Sequence, residues 1–377
     1  RDSISTALTW EKVRTWNVGL DWGLFNNRLT GSFDAYIRYT DNMVGPSVEL
    51  PATLGIATPK TNNCDLKTKG WELTIGWQDR TNFGMGYGIK FNVSDARTYI
   101  DRYPGNPTNS VGTGTYIAGR EIGEIWGFET VGIAKTDAEM QAHLDKVGGQ
   151  NALGSIWAAG DIMYADQDGK PGITKGAQTL EDHGDLKVIG NNTPRYHFGL
   201  DLNANYKGFD VRLFFQGVMK RDYWQGSNIF WGVGQWGMWW STGLKEHENY
   251  FRDEPVGLAG HEIAANINSY YARPRFDSTQ NQETQTRYLQ DASYIRLKNF
   301  QLGYTLPASI IRKIGITNCR IFVSGENLWT GTKLSKLFDP ETISGGNTDN
   351  NASAPIKSGG NAYPLSRTWS FGLSVSL

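Results

Sequence analysis

The chain has 377 residues; 12% of them are aromatic, 45 are glycine, and the formal net charge is -1 at pH 7. Disordered chains have few aromatic residues and a high net charge, and nucleic-acid-binding proteins carry excess positive charge, so the composition excludes both classes. A helical membrane protein needs about 18 consecutive apolar residues per span, and no such run occurs. The composition therefore indicates an all-β chain and still permits a membrane protein built from strands.

Apolar and polar side chains alternate with a period of two in nine segments, which is the pattern of β-strands with one apolar face. In 16–24, for example, the even positions are Trp, Val or Leu and the odd positions are Asn, Asp or Gly. The segment 295–306 mixes both classes of side chain, which indicates a β-bulge. The nine predicted strands are 15–25, 29–39, 71–78, 85–94, 196–206, 209–216, 295–306, 319–324 and 369–377.

A soluble β-sandwich and a transmembrane β-barrel both give each strand one apolar face. Sandwich strands centre on about 5–6 residues, whereas outer-membrane strands run for about 9–11 residues, with aromatic residues at both ends of the apolar face and a polar lumen. The predicted strands are long, and aromatic pairs end their apolar faces at Trp16 and Trp22, Trp71 and Trp77, and Tyr196 and Tyr206. The sequence therefore predicts an all-β fold, an antiparallel transmembrane β-barrel, with a soluble sandwich lectin as an alternative.

Short and long connections alternate along the chain. The short ones are 25–28, 79–83, 206–208 and 307–317, and the long ones are 41–67, 97–194, 220–292 and 330–367. Outer-membrane barrels have short periplasmic turns and long extracellular loops, so we expect the long connections to be extracellular. In the longest loop, Thr136 and Glu139 form a capping-box pattern that predicts a short helix.

Nine strands are an odd number, and an open wall would leave unpaired strand edges in lipid. We therefore expect residues 1–377 to be the C-terminal part of a larger barrel. Several motifs resemble the C-terminal part of SusC/RagA-type TonB-dependent transporters of Bacteroidetes outer membranes. They are GDIMYADQDGK at 160–170, IGNNTPRYHFG at 189–199, YKGFD at 206–210, FFQG at 214–217, RDYW at 221–224, RYLQDASYIRLKN at 287–299, LGY at 302–304, GENLW at 325–329 and YPLSR at 363–367.

The resemblance implies a plugged outer-membrane barrel of about 22 strands. The plug domain, the segment that contacts the TonB complex and about thirteen strands of such a barrel have no counterpart in this chain. It also implies a SusD-type surface lipoprotein that caps the barrel as a lid. Substrates in the family are mostly oligosaccharides and in some members oligopeptides.

The sequence thus predicts TonB-dependent import of an oligomeric nutrient, and an oligosaccharide is the favoured substrate. An oligopeptide importer and a passive barrel or adhesin are the alternatives. We expect no catalytic activity and no required cofactor, because the five His are scattered and no nucleophile, phosphate-loop or paired-Cys motif occurs.

Three groups of residues are candidates for a site. Asp166 and Asp168 precede Gly169 as in half of an EF-hand loop, which suits calcium; however, Lys175 stands where the bidentate Glu belongs, and a structural turn is the alternative. An aromatic run in the loop 220–292 is predicted to contact substrate or lid, or to pack within the loop: Tyr223, Trp224, Trp231, Trp236, Trp239 and Trp240. Polar residues predicted to line the lumen, or to bind the plug, are Asp21, Asp34, Arg38, Asp201, Asn203 and Arg212.

Overall fold

The computed structural model describes residues 8–45, 60–112, 115–232, 243–275, 278–343 and 363–376. The strands are β1 Lys12–Leu24, β2 Leu29–Val44, β3 Asn62–Arg80, β4 Gly86–Arg102, β5 Glu124–Gly127, β6 Thr130–Ile133, β7 Ile162–Tyr164, β8 Lys187–Asn191, β9 Arg195–Tyr206, β10 Phe209–Lys220, β11 Asp222–Tyr223, β12 Gln290–Asp291, β13 Tyr294–Thr305, β14 Asn318–Thr332 and β15 Thr368–Ser376. The helices are α1 Asp137–Val147, α2 Asn228–Trp231 and α3 Ala308–Ile311, with 3-10 helices at Lys245–Glu248, Gln280–Gln282 and Arg312–Ile314.

Nine long strands form one antiparallel sheet in the order β1-β2-β3-β4-β9-β10-β13-β14-β15. All nine predicted strands are confirmed, and each pairs with its neighbour in the chain order of the long strands. The predicted ends of several loops were wrong, because β2 continues to Val44, β3 begins at Asn62 and β4 continues to Arg102. In these extensions polar side chains occupy both faces, so the alternation ends although the backbone pairing goes on.

The bulge predicted in 295–306 is confirmed. Phe214 of β10 pairs with Asn299 of β13 and Phe215 pairs with Leu297, so that Lys298 has no partner on β10. On the other side of β13 the pairing with β14 also shifts, and Asn327 there has a φ of 54°. The extra residue keeps the apolar side chains on either side of it on one face of the sheet.

The register places the predicted apolar sides of all nine strands on one face. One row across this face consists of Leu20, Phe33, Leu73, Val93 and Phe198. We call this face the apolar band and the opposite one the polar face. Many side chains of the band are exposed, among them Leu20 at 64% and Phe371 at 83%, whereas Val93 lies buried between its neighbours on the same face. A soluble sandwich would cover this face with a second sheet.

The height of the apolar band fits a membrane. On β1 it runs from Trp16 to Leu24, which is about 26 Å along a strand that rises about 3.3 Å per residue. The apolar band of outer-membrane barrels is about 25 Å tall. Near the short turns, rings from neighbouring strands lie close together, as in Phe209 and Tyr304, whose centroids are 4.4 Å apart. These aromatic side chains occupy the edge of the band, as the interface girdle of such barrels requires.

The long connections pack together at the opposite end of the sheet from the short turns. We call residues 103–112, 115–194, 221–232, 243–275, 278–293 and 333–343 the outer unit. Three two-stranded sheets, β5-β8, β6-β7 and β11-β12, belong to it. Its core contains the buried side chains of Phe128, Tyr164, Phe230, Tyr288 and Phe338, which come from three of the four long connections.

The helix predicted at Thr136 is confirmed as α1. Thr136 is its N-cap and accepts a hydrogen bond from the backbone N–H of Glu139 at 3.1 Å. The carboxylate of Glu139 accepts a hydrogen bond from the backbone N–H of Lys135 at 2.7 Å. Side chains thus satisfy two backbone N–H groups at the N-terminus of α1. Within the part of the chain that the structure describes, no helix is long and apolar enough to cross a membrane.

Candidate functional site

The polar face carries all six residues predicted to line the lumen, and they form two separate groups. On β9 and β10, Asp201 accepts a hydrogen bond from Nε of Arg212 at 2.9 Å, and Asn203 is the register partner of Arg212. On β1 and β2, Asp34 accepts from Nδ2 of Asn17 at 3.1 Å. Asp21 and Arg38 stand on the same face at other levels of that hairpin. Strands β3 and β4 separate the two groups.

A second ion pair on the polar face was not singled out from the sequence. Arg320 of β14 donates to both carboxylate oxygens of Asp210 on β10, at 3.0 and 2.6 Å, across the intervening β13. The alternation places both residues on the polar face, but only the strand order brings them together. With Asp201 and Arg212, this part of the face carries two acids and two bases in matched pairs.

The described aromatic residues of the predicted run pack in the core of the outer unit. Tyr223 is 3% exposed and Trp231 is 9% exposed, and Trp224 packs against the same core. Nε1 of Trp231 donates to the carbonyl of Gln225 at 3.0 Å, and its ring lies 4.9 Å from that of Tyr288. Tyr223 and Trp231 therefore fit the alternative that the run packs within the loop, while their contact with substrate or lid stays a prediction. Trp236, Trp239 and Trp240 lie outside the described residues.

Two cavities open in the outer unit, on either side of the 3-10 helix Lys245–Glu248. The first measures about 870 Å³, and its lining includes Trp231, Tyr250, Arg252, Asp253 and Arg273. The second measures about 900 Å³. Its lining is more polar and includes Tyr270, Arg287, Asp291, Lys333 and Lys336. Sequence reasoning missed both cavities, because no periodic pattern indicates how the irregular segments of their walls fold against one another.

Ion pairs and stacking hold the charged groups of the first cavity. Arg273 binds Asp253 at 2.7 Å, and this hydrogen bond holds the pKa of the Asp253 carboxyl below its usual value. The guanidinium of Arg252 lies 4.5 Å from the ring centroid of Tyr250 and donates to the carbonyl of Ala264 at 2.9 Å. The cavity thus offers an aromatic face beside fixed hydrogen-bonding groups of both charges.

Asp166 and Asp168 lie beside a third acid, Asp185, which the sequence had not indicated. One carboxylate oxygen from each lies within 4.8 Å of the others. Asp166 accepts from the backbone N–H of Gly169 at 2.7 Å, and Asp168 accepts from that of Lys170 at 2.9 Å.

The same carboxylates have further partners in the loop. Lys170 also forms an ion pair with Asp168 at 3.1 Å. Asp185 accepts from the backbone N–H groups of Gln167 and Thr174, each at 2.8 Å. These hydrogen bonds are those expected of a structural turn, and calcium binding by Asp166 and Asp168 stays a prediction.

Comparison with known proteins adds sequence and fold similarity to this geometry. Residues 2–328 match the family model described as TonB dependent receptor-like, beta-barrel. TonB-dependent receptor P3 of Formosa agariphila is 28% identical over 99% of this chain and 35% of its own length. TonB-dependent receptor SusC of Bacteroides thetaiotaomicron is 24% identical over 98% of this chain and 32% of its own length. The chain thus spans about a third of the length of the curated relatives it matches.

Among solved structures, that of the RagAB peptide transporter superposes with a TM-score of 0.67. Its sequence is 24% identical, and the match covers 99% of this chain and 36% of that chain. A second structure, of the RagAB peptide importer in the closed-closed state, gives a TM-score of 0.65 at 22% identity, covering 99% of this chain and 36% of that one. At this level of identity the two structures confirm the fold: a nine-stranded part of a large outer-membrane barrel with its outer loops.

Proposed function

Because this chain belongs to the TonB-dependent receptor β-barrel family, whose members lie in the outer membrane, we propose that it forms part of a SusC-like transporter that imports an oligomeric nutrient. The observation that carries this proposal is the sheet itself. Its outward face is a largely exposed apolar band, and its inward face carries hydrogen-bonding residues and matched ion pairs such as Asp201 with Arg212. Such a wall separates lipid from an aqueous path.

Under this proposal the polar face lines the path and the outer unit receives the substrate. An oligosaccharide is the substrate that we propose. The cavity of about 870 Å³ supports it, since the rings of Trp231 and Tyr250 adjoin fixed hydrogen-bonding groups there. Aromatic rings have an apolar face that can stack on a sugar ring, and a few fixed polar groups set the ligand's orientation.

An oligopeptide is the second candidate. The same cavity presents charges of both signs, with Arg273 and Asp253 at its wall, and these would suit the charged side chains and termini of peptides. The solved structures with similar folds are those of a peptide transporter and a peptide importer.

Two partners belong to the proposal. One is a SusD-like surface lipoprotein that closes over the outer unit as a lid. Tyr223, Trp224 and Trp231 are the described residues of the aromatic run that we propose to contact substrate or lid. The other is the TonB complex, reached through the part of the receptor that lies outside this sequence. We propose neither a catalytic step nor a required cofactor for this chain.

The test uses the full-length receptor, purified in detergent together with its lipoprotein. Binding of defined oligosaccharides and oligopeptides is measured by isothermal titration calorimetry, and bound material is identified by native mass spectrometry. We expect an oligosaccharide to bind and its uptake by cells to cease when TonB is deleted. Binding of peptides alone would establish the second candidate, and uptake that persists without TonB would indicate a passive barrel.

A further inference from the structure

A group of basic side chains lies just above the apolar band on the outward face of β1, β3 and β4. We call its members, Arg14, Lys67, Lys69 and Arg97, the outer basic cluster. The register places Arg14 and Lys67 in one row, on either side of Tyr39 of β2. Lys69 and Arg97 face each other in the next row toward the band. Four cations from three strands thus occupy one small area of the outer surface.

The cluster faces the membrane and not the lumen. Arg14 and Trp16 are two positions apart on β1, as are Lys69 and Trp71 on β3, so each cation shares the face of the band residue below it. The register shifts recorded in β2, β3 and β4 lie nearer the outer ends of these strands, beyond both rows.

The cluster lies at the height of the lipid headgroups. Lys69 and Lys67 stand two and four residues above Trp71, which is about 7 and 13 Å along the strand. Lysine side chains lay their methylene stems on apolar surface and hold the ammonium group at the polar boundary.

Two of the four cations have no carboxylate partner among the described residues. Arg14 binds Asp41 at 2.9 Å, and Arg97 binds Glu121 at 2.9 Å. The ammonium group of Lys67 instead lies 5.3 Å from the ring centroid of Tyr39, and that of Lys69 lies 6.0 Å from the centroid of Tyr99. The positive charges of Lys67 and Lys69 are therefore not paired with a described carboxylate.

Neighbouring strands do not carry this feature at their outer ends. The outermost outward residues of β10, β13 and β14 are Met219, Ile295 and Gly331, which are uncharged. On β9, Arg195 donates to both carboxylate oxygens of Asp95 on β4. Arg14, Lys67, Lys69 and Arg97 thus gather on the β1–β4 side of the sheet.

We propose that the outer basic cluster binds the phosphate group of a lipid in the outer leaflet of the membrane, with Lys67 and Lys69 as the principal contacts. Lysine binds phosphate as a point charge, and clustered basic residues beside a membrane span attract anionic headgroups. The rings of Tyr39 and Tyr99 suit the same depth, because aromatic side chains with a polar edge favour the membrane interface. A ligand reaching this face comes from the lipid, since the polar face points the other way.

The test uses the full-length receptor in nanodiscs that contain lipid A carrying one phosphate, or the same lipid without phosphate. Lipid retained on gentle detergent extraction is counted by native mass spectrometry. The variant K67Q/K69Q is compared with K90Q, because Lys90 lies on the polar face of β4. We expect the wild type and K90Q to retain the phosphorylated lipid, and the double variant to retain it roughly 25-fold less, since each cation near a lipid surface adds roughly fivefold.

The single variants K67Q and K69Q are measured in parallel, and each should show a smaller loss. Folding is checked for every variant by the heat-dependent mobility of the barrel on a gel. Equal retention by the wild type and folded lysine variants overturns the proposal, as does equal retention of the two lipids by the wild type. Displacement of the lipid by millimolar inorganic phosphate would assign the cluster to free phosphate and would overturn the lipid as its source.

Discussion

At the residue scale, two aspartate–arginine pairs of the outer unit differ in their surroundings. Asp161 is fully buried and accepts from Nε of Arg275 at 2.7 Å and from Nδ2 of Asn281 at 2.9 Å. Asp253 binds Arg273 at 2.7 Å with half of its side chain in solvent. Removing one partner of a buried pair leaves an uncompensated charge, whereas an exposed pair contributes little.

We therefore expect Asp161→Asn to destabilise the outer unit by about 3 kcal/mol, while Asp253→Asn costs less than about 1 kcal/mol. Hydrogen exchange of β6 and β7 measures both effects, since Asp161 immediately precedes β7. A similar loss of protection in the two variants would show that burial does not distinguish the pairs.

The second residue-scale prediction concerns pH. Burial lowers the pKa of His143 below the ordinary value of 6.5, although its Nε2 lies 3.1 Å from Oε1 of Gln150. The folded state therefore favours the neutral imidazole, and the unfolded state binds more protons below pH 6.5. The stability of the outer unit should fall as the pH drops below that value.

Hydrogen exchange of α1 between pH 7.5 and 5.5, corrected for the intrinsic exchange rates, measures this effect. In His143→Gln the dependence on pH should be weaker than in the wild type. An unchanged pH dependence in this variant would assign the effect to other groups.

The sequence predicted residues well where a single strand decides their position. Alternation alone placed Asp201, Asn203 and Arg212 on one face, and the structure places them together there. It could not bring Asp185 to Asp166, because the turn between them follows no simple period. The aromatic run was ambiguous for a similar reason, since the ring of Tyr288 that packs on Trp231 lies far along the same connection.

At the element scale, the bulge at Lys298 determines which face the outer end of β13 presents. Beyond it, Arg296 is 3% exposed and binds both carboxylate oxygens of Asp339 at 2.8 Å, which ties the last long connection to the sheet. Lys298 itself binds Glu341 at 2.9 Å. A shift of one residue would turn each side chain beyond the bulge to the opposite face.

Deletion of Lys298 should therefore move Arg296 to the apolar side and prevent normal folding. Lys298→Ala is the matched control, because it keeps the extra residue and removes only the ion pair with Glu341. We expect the deletion to reduce the heat-modifiable, folded form on gels to a small fraction, and the substitution to leave it near the wild-type level. A folded deletion variant would show that the register tolerates the loss.

At the scale of the whole molecule, we expect the two faces of one sheet to have different surroundings, with lipid at the apolar band and water at the polar face. Leu20 lies midway along the apolar band of β1, and Asp21 is its neighbour on the polar face. Leu20→Arg would place a charge at the centre of the lipid and should cost about 2–4 kcal/mol. Asp21→Arg places the same group on the polar face, where a much smaller cost is expected. The folded fraction of each variant in isolated outer membranes gives the comparison, and equal fractions would contradict the assignment of the faces.

The outer unit also has a consequence for the order in which the protein matures. Its core joins Phe128, Phe230 and Phe338, which lie in three separate connections, and the rings of Phe230 and Phe338 are 6.5 Å apart. Contacts between residues so far apart in the chain form late, because the intervening segments must first be brought together. The connection that carries Phe338 follows β14, so we expect the core to close only after that strand has entered the sheet. Residues 115–194 should therefore become resistant to an external protease only after the last strands of the sheet have formed. The time at which this resistance appears then reports how far assembly has progressed.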